Sequence, residues 1–402
     1  MQMSNRISGF QCSPIRRLVP YSRAAEKNGI HVIHLNIGQP DIKTPVEVLD
    51  AIHNYSEETI AYGLSEGEFK LRHAMLAYYK KFGITDLTEE NIVITTGGSE
   101  AILFALITLC DPYDEFIIPE PYYTNVATFA NVAMVNLRPV TSSSSNGFVL
   151  PSIDAFEDKI NKKTTGILLC SPNNPTGHIY TEKELKALLE LCKKHDIFLV
   201  VDEVYREFCY DGRSFTSVLS YPEYADRVIC IDSFSKRFSM CGSRIGAIVT
   251  KNQDFISNVM KMAQARLCPP AVEQEAAAAA LTAPDEYIEE VVKQYERRRN
   301  VLVEALQKIE GVRVNMPKGA FYFVADLPVD DAENFALYML KDFNWEGNTV
   351  MFAPAEDFYW TKGLGKQQAR FAYVIDEKEL KLAAKCLKEG LKAYRRDVMH
   401  IQ

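Results

Sequence analysis

Four polar clusters in this sequence each follow a short apolar run of the kind that forms a buried strand. The clusters are GGS at 97–99, SPNNPTG at 171–177, DEVY at 202–205 and SFSK at 233–236. Because ligands of an open α/β sheet bind beyond the carboxyl ends of its strands, we expect the four clusters to meet at one edge of a sheet. They would bring an amine, a carboxylate, hydroxyl groups and free backbone amides together there.

Two residues of these clusters could carry covalent and acid–base chemistry. A lysine near a buried sheet edge, such as Lys236, can lose its proton and attack a carbonyl carbon, although a lysine in a loop is ordinarily a solvated charge. Asp202 follows an entirely apolar run. A carboxylate there must be paired or hydrogen-bonded to offset its desolvation. We therefore predict an amine nucleophile and a buried carboxylate in one site.

The remaining residues of the clusters suit an anion. Free amides at a helix N-terminus, here at 97–99, favour a phosphate, and Arg244 could bind the same group through two hydrogen bonds. Each also has a plainer explanation, a tight turn with an N-cap in the first case and a surface charge in the second. Residues 173–177 can likewise be only a turn shaped by proline and glycine.

Taken together, these parts suit one cofactor. Pyridoxal phosphate requires a lysine to form its Schiff base and a carboxylate to keep its ring nitrogen protonated, which makes the ring an acceptor of electrons. Lys236 and Asp202 would supply these two groups. The anion site and an asparagine-bearing turn would complete the set.

The elements that must position the clusters alternate between strand and helix. Runs rich in valine and isoleucine, with little polar alternation, are typical of strands buried on both faces of a parallel sheet. The clearest helix is predicted at 182–195, where one face is apolar and Thr181 and Glu184 form a capping box. We predict an α/β fold: a large domain with a mostly parallel sheet between helices, and a smaller α+β domain. The predicted strands of the large domain lie at 92–96, 116–119, 166–170, 197–201, 228–232 and 245–250.

Three parts of the chain are predicted. Residues 1–45 have no place in the alternating pattern, so we expect an N-terminal arm that packs on the small domain. Residues 46–295 would form the large cofactor-binding domain and residues 296–402 the small C-terminal domain. A long helix at 285–309, framed by a proline and a glycine, is expected to link the two. In the small domain we predict strands at 321–325 and 370–375 and helices at 331–342 and from 377 onward.

Composition disfavours several classes of protein. The 402 residues are 47% hydrophobic and 24% charged, as in ordinary globular proteins. The 45 basic and 53 acidic residues give a net charge of −8, so a nucleic-acid partner is not expected. No apolar run is long enough for a membrane span, and the first residues show no secretion signal. The nine cysteines, among them Cys12, stand singly, which favours reduced thiols and a cytoplasmic location.

The order and spacing of the motifs resemble those of the fold-type I pyridoxal-phosphate-dependent aminotransferases of class I, in particular the bacterial aspartate aminotransferases. The resemblance covers nearly the whole chain. Any one motif is weak evidence, but the set in this order is specific. The motifs are NIGQPD at 36–41, Tyr62-Gly-Leu with Lys70-Leu-Arg72, SPNNPTG at 171–177, DEVY at 202–205, SFSK at 233–236 with RIG at 244–246, PKGAFY at 317–322, and Arg370.

This resemblance implies an activity and an assembly. The activity is reversible transfer of an amino group between an L-amino acid, with aspartate favoured, and a 2-oxo acid such as 2-oxoglutarate. The implied cofactor is pyridoxal 5′-phosphate. The implied assembly is a homodimer whose active sites are shared between the two subunits.

The resemblance also implies a role for each site residue. Lys236 would hold the cofactor as a Schiff base and move the proton, while Asp202 would pair with the ring nitrogen. Tyr205 and Asn174 would hydrogen-bond the ring hydroxyl oxygen, and Tyr123 would stack on the ring. Lys236, Asp202 and Tyr205 would be the catalytic residues. The expected phosphate ligands are Gly98, Ser99, Ser233, Arg244 and, from the neighbouring subunit, Tyr62; the expected substrate ligands are Gly38, Asn174 and Arg370.

Some of these residues keep an ordinary alternative, and the side-chain preference stays open. Tyr123 could be only a core aromatic and Arg370 only a solvated charge on a strand. Ser243 stands where the family often has a tryptophan, and Ala355 where it often has a glycine. Ser99 follows the glycine pair, so no cation for a second substrate carboxylate stands out at that position.

Other functions fit the same fold. A C–S β-lyase would use the same residues and release pyruvate and ammonia without an oxo acid, and an aromatic or other aminotransferase would differ only in its side-chain pocket. A non-enzymatic regulator is disfavoured, because it would need a basic DNA-binding module or the loss of Lys236 or Asp202. His31 and His34 would face different directions in a strand, so no metal site is predicted.

Overall fold

The computed structural model describes residues 15–400 without a break, together with positions 3, 4, 7, 10 and 13. Cys12, one of the thiols predicted to be reduced, lies outside the described residues. So does much of the predicted arm before residue 15.

Strands and helices alternate along most of the described chain. The strands are β1 (His31–His34), β2 (Ile92–Thr95), β3 (Glu115–Glu120), β4 (Asn136–Thr141), β5 (Thr164–Cys170), β6 (Phe198–Asp202), β7 (Val228–Ser233), β8 (Gly246–Val249), β9 (Arg313–Val314), β10 (Tyr322–Asp326), β11 (Asn348–Met351), β12 (Ala353–Pro354) and β13 (Gln368–Ala372). The helices are α1 (Val19–Lys27), α2 (Val46–His53), α3 (Phe69–Lys80), α4 (Gly97–Leu109), α5 (Asn125–Ala133), α6 (Ile153–Glu157), α7 (Glu182–His195), α8 (Gln253–Arg266), α9 (Ala271–Ala280), α10 (Asp285–Leu306), α11 (Ala332–Lys341) and α12 (Glu377–Asp397).

The largest sheet has seven strands in the order β2-β8-β7-β6-β5-β3-β4. The pairs from β4 through β7 are parallel, and β8 runs antiparallel to both of its neighbours. This confirms the predicted α/β fold with a mostly parallel sheet. The direction of β8 could not be inferred from its composition, because every residue of β8 is buried whichever way the strand runs. The prediction omitted β4, an edge strand with polar residues and a proline.

Helices cover both faces of this sheet. Successive residues of β2 pack into different cores: Ile92 and Ile94 join a cluster that includes Leu188 of α7, while Val93 joins a cluster that includes Phe104 of α4. Side chains of a strand alternate between faces, so a strand that is apolar at every position needs a core on each side. The predicted helix at 182–195 is confirmed as α7.

A second group of elements packs around another hydrophobic cluster, which Cys170 of β5 and Tyr205 also join. It contains a four-stranded antiparallel sheet in the order β12-β13-β10-β9 and the parallel pair β1-β11. Buried residues of α10, α11 and α12 pack against these strands in one hydrophobic cluster. The smaller α+β domain is thereby confirmed, although β13 begins two residues before the strand predicted at 370–375.

The N-terminal residues contact this second group. β1 pairs with β11, and Arg17 forms ion pairs with Glu333 at 2.7 Å and with Asp357 at 2.6 Å. α10 continues through the expected boundary between residues 295 and 296. The division at 45/46 and 295/296 therefore stays a prediction.

Two further sequence-based expectations concern helices and thiols. None of the described helices combines the length and apolar character needed to span a bilayer. The cysteines within the described residues are free thiols. Cys170, Cys192 and Cys230, which the apolar runs contain, are buried.

Candidate active site

A cavity of about 410 Å³ lies at the carboxyl-end edge of the seven-stranded sheet. The polar clusters that follow β2, β5, β6 and β7 meet there, together with Arg244, two residues before β8. Tyr62 is apart from them, since 81% of its surface is exposed in the single chain and it does not line the cavity. The predicted site residues in the cavity wall are Gly38, Gly98, Ser99, Tyr123, Asn174, Asp202, Tyr205, Ser233, Lys236, Arg244 and Arg370.

Lys236 extends into the cavity from the loop after β7. Its Nζ donates a hydrogen bond of 2.8 Å to the carbonyl oxygen of Gly38 and lies 3.8 Å from Sγ of Cys241. The same nitrogen lies 5.8 Å from the centroid of the Phe321 ring. The amine is thus only half-buried and is held by an uncharged backbone oxygen, which leaves it available to a ligand in the cavity.

Asp202, the last residue of β6, places a carboxylate in the wall of the cavity. The side chain is almost completely buried, and its Oδ1 accepts a hydrogen bond of 3.2 Å from the amide of Val204. Burial raises the pKa of Asp202 to about 7, although the Val204 amide opposes this change. A cationic nitrogen of a bound ligand would stabilise the ionised carboxylate here.

The first turn of α4 and Arg244 form an anion-binding end. A Cβ atom at Gly97 would lie 2.4 Å from Nη2 of Arg244, so only glycine allows the guanidinium to approach this turn. A Cβ atom at Gly246 would lie 2.5 Å from the carbonyl carbon of Gly97 and 2.6 Å from the nitrogen of Gly98. Small residues thus bring the helix N-terminus, the arginine and β8 together, which favours a phosphate at this end.

A buried ionic cluster supports the loop that carries Lys236. Asp232 of β7 accepts a hydrogen bond of 2.6 Å from Arg237, lies 3.4 Å from Arg206 and accepts a third contact of 2.9 Å from the hydroxyl of Tyr79. Burial alone would raise the pKa of Asp232, but the charges of Arg206 and Arg237 lower it to about 2. The cluster holds the end of β7 and the loop after it, and its four residues are not part of the cavity wall. Our sequence interpretation missed it, although an aspartate at the end of an apolar strand is a signal for a buried partner.

Arg370 of β13 brings a guanidinium to the other side of the cavity. The residue is only 1% exposed, so the alternative of a solvated strand charge is wrong. Its Nη1 donates a hydrogen bond of 3.2 Å to Oδ1 of Asn174, and its Nη2 donates to the carbonyl of Asn36. The guanidinium carbon also lies 4.6 Å from the centroid of the Tyr322 ring. Burial lowers the pKa of Arg370 from its ordinary value. A buried guanidinium beside a cavity is suited to a planar carboxylate.

Several residues of the wall were not assigned from the sequence. Tyr322 belongs to one of the motifs that carry the resemblance. Its hydroxyl oxygen lies 3.1 Å from the hydroxyl oxygen of Tyr205, within hydrogen-bond distance. Arg16 is the first of two consecutive arginines in the N-terminal part, a pair that the sequence interpretation passed over. The unassigned wall residues are Ser13, Ile15, Arg16, Ile37, Ile102, Asn125, Val204, Ser235, Cys241 and Tyr322.

The residues present fit pyridoxal phosphate. The first turn of α4 offers backbone amides to a phosphate group, and Arg244 offers its guanidinium. Gly97 allows the guanidinium to lie close to this turn. Among the described residues, the buried carboxylate of Asp202 has no cationic hydrogen-bond partner, which a protonated ring nitrogen would supply. Lys236 adds the amine to the same cavity.

Comparison with known proteins agrees with this geometry. Residues 30–354 match the family model described as aminotransferase class I and II. An aspartate aminotransferase of Sulfurisphaera tokodaii is 32% identical over 90% of this chain and 90% of its own sequence. The resemblance seen in the sequence is thereby confirmed.

Solved structures show the same fold. The aspartate aminotransferase of Thermotoga maritima superposes with a TM-score of 0.89 at 29% identity, over 97% of this chain and 100% of that one. The alanine aminotransferase of Pyrococcus furiosus superposes with a TM-score of 0.88 at 28% identity, over the same shares of the two chains. The chain therefore belongs to the class I and II aminotransferase family and is an aminotransferase.

Proposed function

We propose that the protein transfers the amino group between an L-amino acid, with aspartate favoured, and a 2-oxo acid such as 2-oxoglutarate, with pyridoxal phosphate as cofactor. The observation that carries this proposal is a single cavity lined by Lys236, Asp202, Arg370 and the first turn of α4. Membership of the aminotransferase family implies the cofactor. Aspartate is favoured because similar proteins from Sulfurisphaera tokodaii and Thermotoga maritima are aspartate aminotransferases.

The wall residues would hold the cofactor at three places. When bound, pyridoxal phosphate supplies a carbonyl group that takes up the amino group and a ring that accepts the electron pair left at the substrate α-carbon. Asp202 would bind the ring nitrogen, and Tyr205 and Asn174 the ring hydroxyl oxygen, with Tyr123 against the ring. The phosphate would be held by Gly98, Ser99, Ser233 and Arg244.

Lys236 is the proposed nucleophile and proton carrier. It is the one lysine among the described residues of the cavity wall. Its Nζ would take the proton from the substrate α-carbon and deliver it to the former carbonyl carbon of the cofactor. The contact with the Gly38 carbonyl orients this nitrogen within the cavity.

Arg370 is the proposed ligand of the substrate α-carboxylate. Its guanidinium offers two parallel donors to the two oxygens of a carboxylate. Asn174 accepts a hydrogen bond from it, and the backbone at Gly38 lines the same cavity. Every amino acid and every 2-oxo acid carries this carboxylate. One arginine would therefore serve both halves of the reaction.

We also propose a homodimer in the cytoplasm, with Tyr62 contributed to the phosphate site of the neighbouring subunit. The support is a set of exposed apolar side chains close to Tyr62 in the sequence, since a large apolar surface marks a protein interface. Sedimentation of the purified protein tests the dimer. A monomer at micromolar concentration would contradict it. The exposed residues are Val46, Leu49, Ile52, Ile60, Leu64 and Phe69.

An assay with L-aspartate and 2-oxoglutarate tests the reaction. We expect the loaded protein to form oxaloacetate and glutamate, measured by coupling oxaloacetate to the oxidation of NADH by malate dehydrogenase. The Lys236→Ala variant is the control and should be inactive. Release of pyruvate and ammonia from cystathionine without any oxo acid would favour the lyase instead, and absence of turnover with every common amino donor would refute the proposal.

A further inference from the structure

We propose that Arg16 binds the distal carboxylate of the substrate and so selects amino acids and oxo acids with two carboxylates and four or five carbons. This inference rests on the proposed function and names the substrate class of the same site. Arg16 lines the same cavity as Ile15 and Ile37, although it lies outside the motifs of the resemblance.

The first argument is the set of charges in the cavity wall. Lys236, Arg244 and Arg370 each donate hydrogen bonds to oxygen atoms of neighbouring residues. Each also has a proposed ligand in the reaction. Within the described part of the chain, the side chain of Arg16 has neither a hydrogen bond nor an ion pair, and Asp202 is the one carboxylate residue of the wall. One positive charge is therefore left for a further anionic group.

The second argument is that both neighbours of Arg16 are held in place. The carbonyl of Ile15 accepts a hydrogen bond of 3.0 Å from Nδ2 of Asn36, and the side chain of Ile15 packs on a hydrophobic cluster around Phe358. Arg17 forms its two ion pairs with carboxylates of the C-terminal part. The backbone of Arg16 is thus restrained from both sides, while the residue is exposed and its guanidinium has no partner among the described residues.

The third argument connects Arg16 with the proposed α-carboxylate ligand. Asn36 accepts a hydrogen bond from Arg370 through its carbonyl and donates one to Ile15 through its side chain. The two arginines therefore lie on segments that share Asn36, and Ile15 and Ile37 line the same cavity. Two cations and apolar side chains in one cavity suit a short hydrocarbon chain that carries a carboxylate at each end.

Binding of two unsaturated acids tests this inference in the cofactor-loaded protein. Maleate has two carboxylates and crotonate has one, on four carbons each, and neither has an amino group. We expect Arg16→Gln to weaken maleate binding by roughly 10- to 100-fold, as for loss of a charged hydrogen bond, and to leave crotonate binding unchanged. Calorimetric titration measures both dissociation constants.

A matched arginine and a single half-reaction supply the controls. Arg23 is exposed on α1 and does not line the cavity, so Arg23→Gln should behave as the wild type with both acids. Arg16→Lys should retain part of the maleate affinity. In single turnovers without an acceptor, Arg16→Gln should slow oxo-acid formation from aspartate and glutamate, but not from alanine.

Three results would count against these statements. Unchanged maleate binding in Arg16→Gln would overturn the inference, since the cation for the second carboxylate would then come from elsewhere. Equal losses for maleate and crotonate would also overturn it, because Arg16 would then act on the α-carboxylate or on closure of the cavity. A wild-type protein that binds maleate through Arg16 but transaminates no donor would refute the proposed function alone.

Discussion

Nζ of Lys236 donates a hydrogen bond of 2.8 Å to the carbonyl oxygen of Gly38, a residue 198 positions away in the chain. Gly38 follows β1, which pairs with β11 of the second group of elements. A Cβ atom at Gly38 would lie only 1.6 Å from the hydroxyl oxygen of Tyr322, so this approach depends on glycine. The amine of the loop after β7 is thereby held by a backbone group of the segment that follows β1.

Removal of the lysine side chain should abolish turnover and spare cofactor binding. In Lys236→Ala both the nucleophile and the proton carrier are lost, so we expect kcat with aspartate to fall by several orders of magnitude. The phosphate and ring contacts remain, so equilibrium dialysis should still detect bound pyridoxal phosphate. Lys318→Ala is a suitable control, because the Lys318 side chain is 41% exposed, pairs with Asp211 and does not line this cavity. Near-normal turnover in Lys236→Ala would contradict the assignment.

The change Arg370→Lys keeps the positive charge but loses the paired donors. We expect weaker binding of all donors and acceptors alike, by about 1–3 kcal/mol, because each presents the same α-carboxylate. Dissociation constants for aspartate, alanine, 2-oxoglutarate and pyruvate measure the effect, with cofactor retention as the control. A loss restricted to the dicarboxylic substrates would place Arg370 at the distal carboxylate and contradict both arginine assignments.

The titration of Asp202 should make the stability of the cofactor-free chain depend on pH. Burial raises its pKa to about 7, from an ordinary value of 3.8. Between these values the folded chain binds a proton that the unfolded chain has lost. The contribution of Asp202 to the free energy of unfolding therefore falls as the pH rises from about 4 to about 7.

Replacement by asparagine isolates this contribution. Asp202→Asn cannot ionise but can still accept the hydrogen bond from Val204. As the pH rises from 4 to 8, the free energy of unfolding of the cofactor-free variant should increase by roughly 3–5 kcal/mol relative to that of the cofactor-free wild type. Urea denaturation of both proteins at the two pH values measures the difference between their free energies of unfolding. The contributions of other titrating groups are the same in both proteins, so they cancel in this difference. A difference that does not change with pH would show that Asp202 titrates normally.

Two glycines of the phosphate region provide a matched pair. A Cβ atom at Gly246 would lie within 2.8 Å of backbone atoms that cannot move aside, whereas one at Gly242 would meet nothing within 4 Å. We expect Gly246→Ala to destabilise the protein by about 1–3 kcal/mol and to weaken pyridoxal phosphate binding, because the first turn of α4 must shift. Gly242→Ala should stay within about 0.5 kcal/mol of the wild type. Thermal unfolding and cofactor titration compare the two, and equal behaviour would argue against a tightly packed anion site.

The chemistry of the site could be predicted from the sequence because it depends on local patterns. Apolar runs predict buried strands, and parallel strands bring their carboxyl ends to one edge, so the residues that follow them must meet. Lys236 and Asp202 were found by this reasoning alone. The roles of Arg370 and Tyr123 came from the resemblance to a family, since neither residue differs locally from an ordinary strand arginine or core aromatic.

Other features depend on contacts between distant parts of the chain, so only the tertiary structure could decide them. The direction of β8 depends on how the strand enters the sheet, and composition is the same for either direction. The ionic cluster around Asp232 forms because α3 and the loops after β6 and β7 converge on the end of β7. Arg16 lies at the cavity because Asn36 and two carboxylates of the C-terminal part hold its neighbours. Local sequence determines which groups are present, and packing between remote segments determines which of them face the same cavity.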